Sequence, residues 1–168
     1  MPAFATVYEA HAAFVWRSLR RLGVREADLA DICQDVFVVV HRKLGGFDGR
    51  SSIKTWLFGI CLRTASDYRR RAHVQREDIM EQVPDQAVPA MQTEALALRQ
   101  ARTLLDRILT GLDDDKRATF VLFELEQLPM ADVAESMGCP LQTSYARLYA
   151  ARRYVEEALA KHHKGEAA

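Results

Sequence analysis

Apolar residues recur at intervals of three and four along almost the whole chain, and nowhere do they settle into the alternation with polar residues that marks a strand. That period turns one stripe of each helix toward a core, which restricts the chain to helix-on-helix packing. Between Glu26 and Leu44 the stripe is Leu29, Ile32, Cys33, Val36, Val40 and Leu44, and Gly45-Gly46 stops it. An earlier helix is predicted from about Ala3 to Leu22, closed by Gly23, which suits the left-handed residue after a helix end. A third begins near Ser52, a capping residue, and sets Ile53, Trp56, Leu57, Ile60, Cys61, Thr64 and Tyr68 on one face before a basic end.

From about Glu77 to Thr93 the pattern lapses. Pro84 and Pro89 remove backbone donors and discourage helix, so a flexible linker is predicted there. Beyond it, helices are expected at about Glu94 to Leu112 and Asp114 to Glu126, the latter capped by Asp113 with acids in its first turn to suit the helix dipole. Then come a short helix from Pro129 to Met137, the turn Gly138-Cys139-Pro140 and a longer helix from about Leu141 to Ala160. The expected fold is all-α: two small helical domains, residues 1–76 and 94–168, joined by a flexible linker at 77–93.

Several function classes drop out. No apolar run reaches the roughly 18 to 20 residues of a membrane-spanning helix, and the start lacks a signal peptide's blocks, so a cytoplasmic protein without membrane insertion is expected. Cys33, Cys61 and Cys139 are widely separated and form no CxxC pair, while the histidines, His162 and His163 included, have no ligand spacing. Reduced thiols, no metal and no cofactor are expected. Gly45-Gly46-Phe47-Asp48-Gly49 lacks the lysine and hydroxyl residue of a phosphate loop, and no Ser, His and Asp pattern suggests a nucleophile. No catalytic residue is assigned, and the chain is expected not to be an enzyme.

Formal charge cancels, with 23 basic and 23 acidic residues, which by itself argues against a phosphate-binding protein. Distribution matters more than the sum. Arg69, Arg70, Arg71 and Arg76 gather in the first half, whereas Asp113, Asp114, Asp115, Glu124, Glu126, Asp132 and Glu135 gather in the second. The halves are therefore expected to have different electrostatic roles.

Pro129 to Arg153 fits a helix-turn-helix, with Val133, Ala134 and Met137 facing Leu141, Leu148 and Val155 across the turn. Such a motif presents early residues of its second helix to base edges, here Gln142, Thr143, Tyr145 and Ala146, with Arg147 further along and Arg152 and Arg153 able to reach phosphates. By spacing alone, two antiparallel core helices are the commoner explanation.

Context comes from the first half. Asp31-Ile32-Cys33-Gln34-Asp35-Val36-Phe37, then Phe47-Asp48-Gly49-Arg50-Ser51-Ser52-Ile53-Lys54-Thr55-Trp56-Leu57-Phe58, then the basic Tyr68-Arg69-Arg70-Arg71, resemble in order and spacing the extracytoplasmic-function sigma factors, compact members of the bacterial housekeeping-type sigma family. The likeness extends through the linker and the helix-turn-helix. It implies that residues 1–76 dock on core RNA polymerase and recognise and melt the minus-ten element, and that residues 94–168 read the minus-thirty-five element. It further implies a polymerase surface made of Asp31, Gln34, Asp35, His41 and Arg42, whose carboxylates and amide can pair with arginines. As a bland alternative, that face is merely solvated.

Strand opening needs an aromatic surface for a flipped base and cations for the phosphates. The resemblance points to Phe47 and the loop from Gly45 to Ser51 for the base, with Ile60 and Arg63 across it, and to Lys54, Arg69 and Arg70 for phosphates. Trp56 lies in an apolar stripe and reads as core, while Phe47 has no helical stripe to join and fits either role. An anti-sigma partner covering both domains is also implied.

Three departures stand in the second domain. Gln127 replaces a usual glycine, Pro129 replaces a common capping serine, and Gln142-Thr143-Ser144 replaces the family's Gly-Thr-Val and moves a hydroxyl toward the core. Tyr145-Ala146 puts few cations on the recognition helix, so the second domain alone is expected to bind DNA weakly. Two other readings remain: a helix-turn-helix regulator that acts without replacing sigma, and a helical protein-interaction module.

Overall fold

A computed structural model describes residues 2–77 and 93–166, so most of the expected linker lies outside the described residues. Helices α1 (Phe4–Arg21), α2 (Leu29–Lys43) and α3 (Ile53–Glu77) form the first half, with single 3-10 turns at Glu26–Asp28 and Leu44–Gly46. The second half holds α4 (Thr93–Thr110), α5 (Asp114–Phe120), α6 (Met130–Met137) and α7 (Leu141–Glu166). Among the described residues there is no strand.

Local chemistry explains most boundaries. The α1 helix ends where Gly23 takes a φ of 91°, which lets the Val24 amide reach back to the Leu19 carbonyl at 3.1 Å. At α3 the Ser52 hydroxyl accepts the Thr55 amide at 3.1 Å, and at α5 the Asp113 carboxylate accepts the Lys116 amide at 2.9 Å. Gly138, at φ 59°, closes α6 and opens the turn into α7.

The expected helix to Glu126 does reach that far, but Val121–Leu125 is a π turn. The Glu126 amide bonds the Val121 carbonyl and the Leu128 amide bonds the Leu122 carbonyl, both at 3.0 Å. The widened coil delivers Gln127 with a φ of 54°, a left-handed conformation that a Cβ opposes. That geometry explains why a glycine would suit this position. Pro129, expected inside the first turn, is instead the residue before α6, with an extended backbone and no capping side chain.

Each half has its own apolar centre. Leu19, Leu29, Val36, Leu57 and Phe58 are buried in the first, and Leu109, Val121, Leu122, Val133 and Leu148 in the second. Met137 packs partly against the second core, but Leu141, expected to face it across the turn, is 48 % exposed, because α7 points its first residue away from α6. The hydroxyl at Ser144 is fully buried and satisfied by Cys139, 3.1 Å away.

The halves also pack against one another, α3 on α6 and α1 on α4, so their cores merge into one apolar cluster. Arg117 anchors this junction. Its buried guanidinium donates to the carbonyls of Leu109 (2.6 Å), Thr110 (2.8 Å) and Leu112 (2.9 Å) at the end of α4, and to Leu22 (3.1 Å) at the end of α1. One fixed cation thus serves two helix C-termini, where orphan carbonyls and the dipole both favour positive charge.

Candidate functional site

On α2, Asp31, Gln34, Asp35, His41 and Arg42 are all exposed and fall on adjoining turns of one face, opposite buried Ile32, Val36 and Val40. Val38, also exposed, sits among them. The His41 ring is held edge-on to Phe4 with centroids 5.1 Å apart. Alongside runs a groove of about 660 Å3 between α1 and α2, walled by Tyr8, Ala12, Trp16, Cys33 and Phe37. Charged and amide groups thus border an apolar trough, the make-up of a protein-docking surface.

The loop after α2 places Phe47 half-buried, its ring 5.3 Å from that of Trp56. The pair packs on the core while both rings stay partly accessible. Lys54 is exposed with its ammonium 5.9 Å above the Phe14 ring, and Arg63 is exposed on the same helix. Ile60 corrects the expectation. At 3 % exposure it is core, because its spacing from Leu57 and Cys61 puts it on the inward stripe of α3, and it cannot wall a pocket for a base.

Arg69 differs more. Rather than facing solvent, it donates to the Leu22 carbonyl and pairs with Asp114 at 2.7 Å, across the junction between the halves. Arg70 remains exposed and pairs with Asp67 in its own helix.

On α7 the outward stripe is Gln142, Tyr145, Ala146 and Arg153, all exposed, with Thr143 half-buried beside it. Arg147 turns aside to pair with Asp115, and Arg152 pairs with Glu124 while lying 5.7 Å over the Phe123 ring. A residue that sequence reasoning missed completes the stripe: Tyr149 is 61 % exposed and stacked on Tyr145, with centroids 6.3 Å apart. Its position four after Tyr145 and seven after Gln142 was the available signal. An amide, two phenols and one free-facing guanidinium can contact base edges and backbone in a major groove.

Titratable chemistry elsewhere is structural. The three cysteines are free, and burial pushes the Cys33 and Cys61 thiols above their ordinary range, which disfavours the thiolate. Among the described residues, no group of histidines, cysteines or carboxylates is arranged to hold a metal ion, and no helix is long and apolar enough to cross a membrane.

Comparison with known proteins accounts for both halves. Residues 7–74 match the family described as Sigma-70 region 2, and residues 102–155 match Sigma-70, region 4. Among curated relatives, the ECF RNA polymerase sigma-E factor of Haemophilus influenzae is 30 % identical over 143 residues, 79 % of this chain and 75 % of the relative. The RNA polymerase sigma-H factor of Pseudomonas aeruginosa is 30 % identical over 77 % of this chain and 72 % of its own length. Among solved structures, CnrH in complex with the cytosolic domain of CnrY is similar at a TM-score of 0.69 and 24 % identity, covering 94 % of this chain and 88 % of that one. The sigma factor RpoE in complex with the anti-sigma factor NepR, from Bartonella quintana, gives 0.71 at 22 % identity, covering 94 % and 96 %.

Proposed function

Because this chain belongs to the extracytoplasmic-function sigma factors, and so binds core RNA polymerase and promoter DNA to start transcription, we propose how its own surfaces divide that work. Residues 1–76 dock on the polymerase through Asp31, Gln34, Asp35, His41 and Arg42, and open the minus-ten element. Phe47, leaning on Trp56, receives a flipped base, while Lys54, Arg63 and Arg70 hold the separated strand, joined by Arg69 only if its pair with Asp114 breaks. Residues 94–168 bind the minus-thirty-five element through Gln142, Thr143, Tyr145, Ala146, Tyr149 and Arg153. Arg147 and Arg152 contribute only if their pairs with Asp115 and Glu124 break.

The observation that carries this reading is the exposed face of α2. Its short carboxylates and amide stand on rigid helical backbone beside an apolar trough. In this reading the chemistry of transcription belongs to the polymerase, which the chain joins in the cytoplasm. Control by an anti-sigma factor is part of the proposal, supported by the likeness of fold to a sigma factor solved in complex with an anti-sigma factor. A helix-turn-helix regulator acting without polymerase is not favoured, since the region 2 match covers the half that such a regulator would use for sensing.

Reconstitution tests the reading. Purified protein added to sigma-free core is expected to yield promoter-dependent transcripts on fragments of the source genome. Asp35→Lys should abolish association with core while leaving the helical circular dichroism unchanged. Phe47→Ala should keep core association yet lower the permanganate reactivity of unpaired thymines. Undiminished core binding by Asp35→Lys would remove the α2 assignment.

A further inference from the structure

Three large apolar side chains stand on the outer side of α7. Leu141, Tyr145 and Tyr149 follow one another at intervals of four residues, so they share a face, and all three are exposed. The two phenol rings lie 26° from parallel with centroids 6.3 Å apart and make a continuous apolar plate. Gln142 and Arg153, both exposed, border it. A contiguous apolar row with a polar rim marks a surface that a partner covers.

What the same stretch omits narrows the partner's chemistry. From Leu141 to Val155 there is no lysine, aspartate or glutamate, and the cations are Arg147, Arg152 and Arg153. Arg147 is tied to Asp115 and Arg152 to Glu124. Arg153 stands twelve residues beyond Leu141, about 18 Å along the axis at about 1.5 Å per residue, whereas a major groove is about 12 Å wide. A guanidinium or ammonium is the usual reader of guanine, and a carboxylate that of cytosine. The first three turns of α7 offer no unpaired group of either kind.

Their chemistry is that of A·T pairs. The Gln142 amide can hold adenine N6 and N7 together, while the methyl groups of Thr143 and Ala146 and the rings of Tyr145 and Tyr149 suit contact with the C5-methyl of thymine. From this we propose that the minus-thirty-five element selected by this chain is a run of A·T pairs, recognised mainly by packing thymine methyl groups against the plate of Tyr145 and Tyr149, with Gln142 fixing the register on an adenine. The selection rests on the functional reading above for the placement of α7 in a major groove, and adds the class of base pair that the helix prefers. It works through area removed from water rather than through charge.

Removing methyl groups one at a time tests this. The chain is combined with sigma-free core, and a promoter is recovered from fragments of the source genome. Each thymine of its minus-thirty-five element is then replaced in turn by deoxyuridine, which lacks the methyl group and keeps every hydrogen-bonding group. Filter binding of holoenzyme to the double-stranded fragment should weaken about four-fold for at least one replacement, as expected for one buried methyl group. Tyr149→Ala should bind the thymine fragment more weakly and no longer distinguish it from the deoxyuridine fragment. Tyr149→Phe should keep the distinction, because the ring and not the hydroxyl makes the contact. Core association should be unchanged in both variants, since the position is exposed.

A wild type indifferent to every deoxyuridine replacement would overturn the proposal and leave the apolar row to a protein partner. So would a minus-thirty-five element without thymine, or a methyl effect that survives in both Tyr145→Ala and Tyr149→Ala. A guanine whose replacement by 7-deazaguanine weakens binding by the wild type but not by Arg147→Ala would also overturn it, since Arg147 would then leave Asp115 to read the base. No promoter-dependent transcript at all would remove the functional reading and this inference with it, whereas a promoter opened normally without regard to thymine methyl groups would remove this inference alone.

Discussion

Replacing Arg117 by alanine should be among the most damaging single changes available to this chain. The side chain is 4 % exposed and donates four hydrogen bonds to carbonyls, two from the last turn of α4, one from Leu112 just beyond it and one from Leu22 at the end of α1. Bonds from a charged donor contribute about 1.5–3 kcal/mol each, but they are not additive and the buried guanidinium costs desolvation. Burial already pushes its pKa down, with the Arg69 charge adding to the effect, yet an arginine stays charged. Truncation takes the guanidinium from the Thr110 and Leu112 carbonyls and one of two donors from Leu109 and Leu22, in a space that the side chain filled, for a net loss of about 4 kcal/mol.

Lysine retains the charge but lacks the fork, so it can satisfy one or two of the four acceptors and should recover about half of the loss. Urea unfolding followed by circular dichroism measures both variants. With a slope of about 2 kcal/mol per molar, Arg117→Ala should lower the midpoint by about 2 M and Arg117→Lys by about 1 M. A midpoint for Arg117→Ala within about 0.5 M of wild type would refute the account, because it would mean that solvent replaces the guanidinium at little cost.

Gln127→Gly should stabilise the chain by about 1 kcal/mol, since a side chain at φ 54° carries about 1–2 kcal/mol of strain that glycine relieves, less glycine's entropy in the unfolded chain; a lowered melting temperature would contradict this. Two carboxyl groups should contribute to the pH dependence of stability with opposite signs. The Tyr68 hydroxyl, bonded to Asp28 at 2.6 Å, holds that carboxyl below its ordinary range, so its contribution is present above about pH 4 and is lost as pH falls through the folded value. Asp106 is pushed up by burial despite Arg20 and Arg21, so it favours the folded state at low pH and loses that contribution as pH rises through its folded value. In urea titrations between pH 3 and 7, Asp28→Asn should flatten the acid loss of stability and Asp106→Asn should steepen it. Identical pH slopes in both variants would rule out these assignments.

The helical period and the punctuating Gly23, Gly45-Gly46, Ser52, Asp113 and Gly138 made the elements legible, because each of those residues acts through its own backbone or a partner three residues away. The face of α2 was legible for the same reason: residues at local helical spacing share a side whatever packs behind them. Less could be read where the outcome depends on a distant partner. Nothing in the local pattern distinguishes an arginine aimed at solvent from Arg69 bonded to the end of another helix, whereas Ile60 already stood on the inward stripe of α3 and its pocket role came only from the resemblance. Nor does the run Val121–Leu125 announce a π turn, although Gln127 in a glycine's place hints at unusual backbone there.

Balanced charge at first argued against a nucleic-acid partner, and the junction between the halves shows why that inference fails. The sum vanishes because a basic excess in the first half is offset by an acidic excess in the second, and Asp106, Asp114 and Glu126 bring some of these opposite charges together. Parting the halves would expose a basic surface and an acidic one that can no longer cancel, at separations beyond the Debye length of about 8 Å in physiological salt. Affinity for DNA in such a chain is governed by which surfaces are uncovered rather than by net charge.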